Sequence, residues 1–353
     1  MGKRPPTSSV NYIGKEKAMT KGKKAFRIII CILLGLFILC SAFFDALFIL
    51  HIDRNFLGEW CGVCVAGVDV TRRNKDDILG DGTVSYNKAY NALTLNNAVI
   101  EADCSVIQSL NDLRIRLVGE NRLVCKDGDS LFGICAANGD IYKDLLIEGE
   151  GSLTIEFQNV TTNMQGILAD NLTISSDVTV TTTDCENIVN GIVCGSSLLV
   201  FNKANVTVNN GAGKYSAAVR VRSNALFEEG TAMNVSVAPG SIETCKGVSI
   251  NGDLILGKNT SLHVSINDEI ARIGECVRVT GLMEVDSGST VTASAKKDHA
   301  VACYGTIVMN EAAVVSATTD GECADIFCSG AVINDKAVVN AEIKALGGVH
   351  SEY

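Results

Sequence analysis

Two stretches of the same design decide the fold: LLVFNKANVTV (residues 198–208) and LILGKNTSLHV (residues 254–264). Each consists of an apolar, a variable and an apolar residue, then five mostly polar residues, then the same apolar triplet pattern again. Because apolar residues alternate with a period of two, each triplet is predicted to be a short β-strand with one buried face. The polar residues between the two triplets are predicted to form a turn.

The pattern recurs nine times after residue 113, and its copies start 24 to 30 residues apart. This spacing is the size of one coil of a solenoid. Of the 36 positions predicted to point inward, only Thr182 is neither apolar nor cysteine. The copies begin at Ile115, Leu145, Leu172, Leu198, Ala225, Leu254, Met283, Ile307 and Ala331.

A third apolar pair precedes most copies, so each coil is predicted to contain three strands. The all-β fold that follows is a parallel β-helix of about nine coils, in which hydrogen bonds run from coil to coil. An antiparallel β-sandwich is the alternative, but it would require hairpin turns and no fixed period. The third pairs are Ile192-x-Cys194, Val219-x-Val221, Val248-x-Ile250, Val277-x-Val279, Val301-x-Cys303 and Ile326-x-Cys328.

The N-terminal region differs in composition from the coils. Residues 28–50 form an apolar run, interrupted only by Asp45, that is long enough for one transmembrane helix. Eight Lys and Arg residues precede the run, which predicts a cytoplasmic N-terminus and an exported body. A cleaved signal peptide is the alternative, although the run is longer than a usual signal core.

The predicted organisation therefore has six parts. They are a basic cytoplasmic tail (1–27), a transmembrane anchor (28–50), a linker (51–60), an N-terminal cap with the first strands (61–112), the β-helix coils (113–346) and a C-terminal tail (347–353).

Charge is distributed unevenly along the chain. Residues 1–50 carry a net charge of +6 and the remainder −16, which together give the overall −10. An acidic body argues against nucleic acid as a partner, because phosphates require a basic surface.

The start of the repeat region is distinctive: it comprises residues 63–100 (VCVAGVDVTRRNKDDILGDGTVSYNKAYNALTLNNAVI), followed by LRIRLVGENRL and LLIEGEGSLTIE. These segments resemble the cap and first coils of a bacterial surface-protein family labelled carbohydrate-binding domain-containing. The resemblance is close over about residues 61–160 and continues by pattern to the end. It implies a right-handed β-helix, related in shape to pectate lyases, that is displayed on the cell surface and binds a glycan. No site residue is transferred, because fold alone does not carry function.

Cysteine is frequent, with 14 in the chain. The Cys61-Gly-Val-Cys64 motif imitates a redox site, but such a site requires a helix after the motif, whereas the following residues predict a strand. Cys194, Cys303 and Cys328 share one inward column and are interpreted as core residues. A disulfide between Cys303 and Cys328, which lie on adjacent coils, is the alternative. No Cys or His spacing predicts a zinc site.

Two outward columns are candidate binding surfaces. The first lies between the last two apolar positions of each copy and forms a polar face able to hydrogen-bond an extended glycan; the alternative is that Thr simply favours exposed strand positions. Its candidate ligand residues are Thr154, Thr181, Thr207, Asn234, His263 and Thr292.

The second column lies between the first two apolar positions and is largely aliphatic. Exposed apolar stripes usually mark an interface, so self-association or a protein partner is the expectation. The candidate interface residues are Leu199, Leu226 and Ile255.

No catalytic residue is assigned. Arg220 and Arg278 share an outward column with Ser249 between them, but no pair of carboxylates accompanies them, so an enzyme is not expected. Asp-Gly turns such as Asp127-Gly-Asp129 offer hard oxygen ligands, so bound calcium is an alternative. The regular calcium-binding nonapeptide of other solenoids is missing, however, and no cofactor is assigned.

The expected function is therefore non-catalytic. The protein is predicted to be anchored in the cell membrane by residues 28–50, to face outward, and to bind a polysaccharide or an adhesion partner. The alternatives are an assembly module that binds a protein through the aliphatic column and, less favoured, a polysaccharide lyase.

Overall fold

The computed structural model describes residues 60–268 and 270–352. These residues form a right-handed parallel β-solenoid of about nine turns within one compact unit, Trp60–Tyr353. The predicted tail, anchor and most of the linker (1–59) lie outside the described residues. In the described ranges, no helix is long and apolar enough to cross a membrane.

The strands are listed here in chain order. The first ten are β1 (Trp60–Val65), β2 (Val68–Thr71), β3 (Val84–Asn87), β4 (Ala92–Asn96), β5 (Val99–Ala102), β6 (Ile107–Ser109), β7 (Leu113–Val118), β8 (Glu120–Lys126), β9 (Ser130–Asn138) and β10 (Ile141–Tyr142). The next twelve are β11 (Leu145–Gly149), β12 (Ser152–Gln158), β13 (Asn163–Ala169), β14 (Leu172–Ile174), β15 (Asp177–Thr181), β16 (Ile188–Cys194), β17 (Leu198–Val200), β18 (Asn205–Asn210), β19 (Tyr215–Val221), β20 (Ala225–Phe227), β21 (Ala232–Val237) and β22 (Thr244–Ile250). The last eleven are β23 (Leu254–Leu256), β24 (Ser261–Ile266), β25 (Ile273–Val279), β26 (Met283–Val285), β27 (Thr290–Ala295), β28 (Val301–Met309), β29 (Val314–Thr319), β30 (Ile326–Asn334), β31 (Val338–Asn340), β32 (Ile343–Ala345) and β33 (Val349–Glu352).

Each coil contributes one strand to each of three parallel faces. The long-strand face contains β13, β16, β19, β22 and β25 with their neighbours above and below, and the short-strand face contains the three-residue strands β14, β17, β20, β23 and β26 in line with β11. The third face is a ten-stranded sheet from β5 to β31. Strands β28 and β30 run continuously from the long-strand face to the short-strand face.

The core is a narrow aliphatic column that runs through all the coils. On the short-strand face, Leu198 pairs with Ala225, which pairs with Leu254, and all three are buried. The predicted third strands are also confirmed in register, since Val219 lies between Ile192 and Val248. The three-stranded parallel coil predicted from the sequence is therefore the observed unit.

Two predicted registers are wrong. The first copy begins at Leu113 rather than Ile115, because Leu145 pairs with Leu113. In the third copy, the strand β15 places Val178 and Val180 inward, since Val178 lies between Leu153 and Val206. Both errors are shifts of two residues, which preserve the buried face and therefore leave the apolar pattern looking correct.

A bend interrupts the long strands at one position in each of six successive coils. The residues there are buried and small, and the residues on both sides of the bend leave the period of two. At Gly247, an added Cβ would lie 2.3 Å from Val264 Cγ1 and 2.5 Å from the carbonyl oxygen of Cys276. A small residue is therefore required where the long strand approaches the ten-stranded sheet. The bend residues are Gly133, Gly166, Gly191, Ala218, Gly247 and Cys276.

The two ends of the solenoid are built differently. At the N-terminal end, β1 pairs antiparallel with β2 and with β6, and β3 pairs antiparallel with β4. The parallel coil pairing begins with β4, β5 and β6, within the region predicted to contain the cap and the first strands. At the other end, β33 pairs parallel with β30, so part of the predicted C-terminal tail belongs to the coils.

Candidate binding groove

A groove of about 440 Å³ lies on the long-strand face. Its lining comes from both sides of the bend, since Lys246 precedes Gly247 and Ser249 follows it. Three cations line it, one on each of three successive strands: Arg220 on β19, Lys246 on β22 and Arg278 on β25. The remaining lining residues are Ile188, Asn190, Tyr215, Ser216, Ala217, Thr244, Ser249 and Asn251.

One buried carboxylate holds two of these cations. Glu275 Oε2 lies 3.9 Å from Lys246 Nζ and 3.6 Å from Arg278 Nε, and Glu275 Oε1 accepts a hydrogen bond from Tyr304 Oη at 3.1 Å. Arg278 Nε is buried and makes no hydrogen bond within the described residues. Arg220 has no ion-pair partner among the described residues. The cluster therefore has three cations and one anion.

The electrostatic balance of the groove is visible at Lys246. Burial lowers the pKa of Lys246 below its usual value; the Glu275 charge opposes this change, and the nearby Arg278 and Arg220 charges add to it. The ammonium group is thus less well stabilised than a solvated one. An anion in the groove would offset this cost by supplying the missing opposite charge.

Aromatic rings adjoin the cationic cluster toward the C-terminal end. The Arg278 guanidinium carbon lies 4.9 Å from the centre of the Tyr304 ring, and Tyr304 lies edge-on to Phe327 at 5.9 Å. The His299 ring stacks on Phe327, with 5.3 Å between the ring centres. Tyr304 is 45% exposed, so this ring is accessible beside the charged residues.

The predicted polar column is on a different face, the ten-stranded sheet. Thr154, Thr207, Asn234, His263 and Thr292 occupy one column of it, but Thr181 does not. Thr179 stands in that column, between Thr154 and Thr207. Thr181 belongs to the neighbouring column and pairs with Glu156 and Asn209. It was assigned to the wrong column because the predicted register of β15 was wrong by two residues.

This polar face is flat, and some of its side chains hydrogen-bond with one another rather than remaining available to a ligand. In the neighbouring column, Ser236 donates a hydrogen bond of 2.9 Å to the side chain of Asn209. The side chain of Asn209 in turn reaches Thr181 Oγ1 at 3.5 Å. None of the predicted polar ligand residues lines the groove. A flat face has fewer converging groups for a ligand than a groove has.

The predicted aliphatic column lies on the short-strand face. Leu199, Leu226 and Ile255 pair in sequence, and Leu226 is 38% exposed whereas Leu199 and Ile255 are half-buried. Each three-residue strand has only one outward residue, so the stripe is one side chain wide. Its role as an interface stays a prediction.

Replacing Leu199, Leu226 and Ile255 together by Ser tests that role. We expect the fold to be retained, because none of the three contributes to the buried column, and we expect any self-association of the Trp60–Tyr353 unit to weaken. Sedimentation velocity over a range of concentrations measures the change. The triple substitution Thr207→Ser, Asn234→Ser and Thr292→Ser on the polar face is the control. A unit that stays monomeric at every concentration would remove self-association as the role of the stripe.

The cysteines serve the core and the cap. Cys194, Cys303 and Cys328 are buried in one inward column, and Cys303 pairs in register with Cys328, both as free thiols. Burial raises the pKa of Cys303 to about 11, which disfavours the reactive thiolate. Cys61 and Cys64 lie on β1, which continues through a turn into β2, so no helix follows the motif.

The predicted oxygen-rich turns have structural hydrogen bonds. Asp127 accepts a hydrogen bond from the Asn159 side chain, and Asp129 accepts one from Thr161. Across the described part of the chain, no group of three or more His, Cys, Asp or Glu side chains could hold a metal ion.

The sequence pattern located part of the groove and missed the rest. Arg220 and Arg278 were placed correctly in one outward column with Ser249 between them. Lys246 was missed, because strict alternation back from Ser249 makes Gly247 outward and Lys246 inward. A small residue recurs two positions before Arg220, Ser249 and Arg278, and this recurrence was the sequence signal of the bend.

Neither a protein-family model, nor a curated protein, nor a solved structure matches this chain.

Proposed function

We propose that this chain is a non-catalytic surface protein whose solenoid binds an extended polysaccharide in the long-strand groove. The observation that carries the proposal is the groove itself, where charged and polar residues from successive coils converge beside an exposed aromatic ring. The proposal includes anchoring in the cell membrane by residues 28–50, with the solenoid outside.

The geometry supports a linear ligand. Successive coils are about 4.8 Å apart, so equivalent side chains repeat along the rod axis at a spacing set by the backbone. An extended chain lying along the groove would contact side chains from each of several successive coils. Hydroxyl groups of a sugar can hydrogen-bond with Asn190, Thr244 and Ser249, while a sugar face can stack on Tyr304.

The groove suits binding better than the flat polar column. A concave site removes more of a ligand from water and brings more groups to it. The described residues that line the groove include no carboxylate. Glu275, which pairs with two of the lining cations and accepts a hydrogen bond from the Tyr304 hydroxyl, is assigned a structural role. We therefore retain a binding function and assign no catalytic step.

A glycan array with the Trp60–Tyr353 unit tests the proposal. This unit contains one continuous core, so it can be studied as a separate polypeptide. For a glycan that binds, we expect Tyr304→Ala to weaken affinity about tenfold, while Tyr304→Phe retains most of it because the ring remains. Isothermal titration calorimetry gives the affinities.

The matched controls are on other surfaces. Tyr90→Ala removes another exposed tyrosine, and Thr207→Ala with Asn234→Ala disrupts the predicted polar column. Both should leave affinity unchanged. Loss of binding in the polar-column variant, with Tyr304→Ala unaffected, would move the site to the ten-stranded sheet. Failure to bind any glycan would refute the proposed function.

A further inference from the structure

We infer that the groove selects an acidic polysaccharide and that Arg220, Lys246 and Arg278 hold its anionic groups. This inference rests on the proposed function, because it names the class of polysaccharide that the same site would bind. It is carried by the arrangement of the three cations and by the single carboxylate among them.

The local charge is opposite to that of the surrounding protein. The chain has a net charge of −10, and the part after residue 50 has −16, whereas Arg220, Lys246, Arg278 and Glu275 together have +2. Cations on an acidic protein are usually paired with its abundant carboxylates. Among the described residues, Glu275 is the one carboxylate paired with the cluster, and its two oxygens are already engaged.

The spacing of the cations suits a linear polyanion. They lie on three successive strands, so each coil presents one positive charge. Arg220 and Arg278 share a column two strands apart, which corresponds to about 10 Å along the rod axis. A polymer with repeating acidic sugars, lying along that axis, would place anionic groups near successive cations. Guanidinium groups can bind a carboxylate through two hydrogen bonds each.

The partial burial of the cluster increases its effect on an anion. The side chains of Lys246 and Arg278 are only 22% and 27% exposed. Charges in such a site are less screened by water and salt than charges on an open surface. Selectivity for an acidic over a neutral sugar is therefore expected here rather than at the exposed lysines elsewhere on the rod.

The test compares one sugar with and without its charge. An oligosaccharide of glucuronic acid and its fully methyl-esterified form are titrated into the Trp60–Tyr353 unit at low and high salt. We expect the acid to bind about tenfold more tightly than the neutral ester, and this preference to shrink as salt rises. The variants Arg220→Gln and Lys246→Gln should each lower the affinity for the acid by about tenfold, as expected for the loss of a charge-assisted hydrogen bond.

Lys258→Gln is the matched control, because it removes the same charge from an exposed turn between β23 and β24. It should leave both affinities unchanged, and thermal melts should show that all three variants are folded. Equal binding of acid and ester would overturn the inference while leaving polysaccharide binding intact, as would binding of only neutral glycans on the array. An effect of Lys258→Gln as large as that of Arg220→Gln would show a general charge effect and overturn the site. If the unit binds neither form of the oligosaccharide and no glycan on the array, the proposed function itself is refuted.

Discussion

Leu256→Asp is expected to lower the free energy of unfolding of the solenoid by about 4 kcal/mol or more. Leu256 is 1% exposed and lies in the inward column of the short-strand face, between Phe227 and Val285. The substitution removes apolar contacts and introduces a carboxyl group into a narrow core of buried hydrophobic residues. Chemical denaturation measures the loss, and limited proteolysis shows whether unfolding is confined to nearby coils, as a stacked array permits.

The charge contribution can be separated by pH. Burial should raise the pKa of the introduced Asp above its unfolded value of about 3.9. A group with a raised folded pKa is tolerated best below the unfolded pKa, so the deficit should grow as pH rises above about 4. Leu256→Asn, which cannot ionise, should be destabilised without that pH dependence. Thr292→Asp, at an exposed position, should remain within about 0.5 kcal/mol of the parent. Equal stability of the Leu256 and Thr292 variants would contradict the assignment of the inward column.

Much of the coil architecture could be predicted from alternation alone. Leu198, Leu254 and their equivalents have to be buried in every coil, and a narrow core admits little except small and aliphatic residues. A shift of two residues, however, keeps the same face buried, so the pattern could not distinguish Leu113 from Ile115 as the start of the first coil. The coil-to-coil hydrogen bonds determine that register.

The groove was less accessible to sequence reasoning. Its cations lie on both sides of a bend. The alternation of inward and outward residues holds on each side separately, but it is broken at the bend itself. The position of Lys246 therefore depends on Gly247 being inward, and this depends on a close approach between two faces of the coil. The Thr and Asn column was simpler to recognise because β18, β21, β24 and β27 have no such bend, yet its flatness gives it fewer converging groups.

Gly247→Cys tests that close approach and is expected to cost about 3 kcal/mol. The Cβ of any replacement would meet Val264 Cγ1 at 2.3 Å and a backbone oxygen at 2.5 Å, so two parts of the coil would have to move. One coil further along, the bend residue is Cys276, and the ten-stranded sheet there has Ala293 in the column occupied by Val264. In this coil, the larger bend residue Cys276 thus accompanies the smaller residue Ala293 in the sheet.

The double variant Gly247→Cys with Val264→Ala recreates the Cys276 and Ala293 combination. Its destabilisation should be smaller than the sum of the two single changes by about 1 kcal/mol or more, because residues that share space are not additive. Gly330→Cys is the control, since its nearest neighbour to an added Cβ is Thr306 Oγ1 at 3.8 Å, and it should cost less than about 1 kcal/mol. If the two changes are strictly additive, contact with Val264 is not the reason that a small residue is required at position 247. If the bend does position Lys246, Gly247→Cys should also weaken binding in the groove, and the double variant should restore part of it.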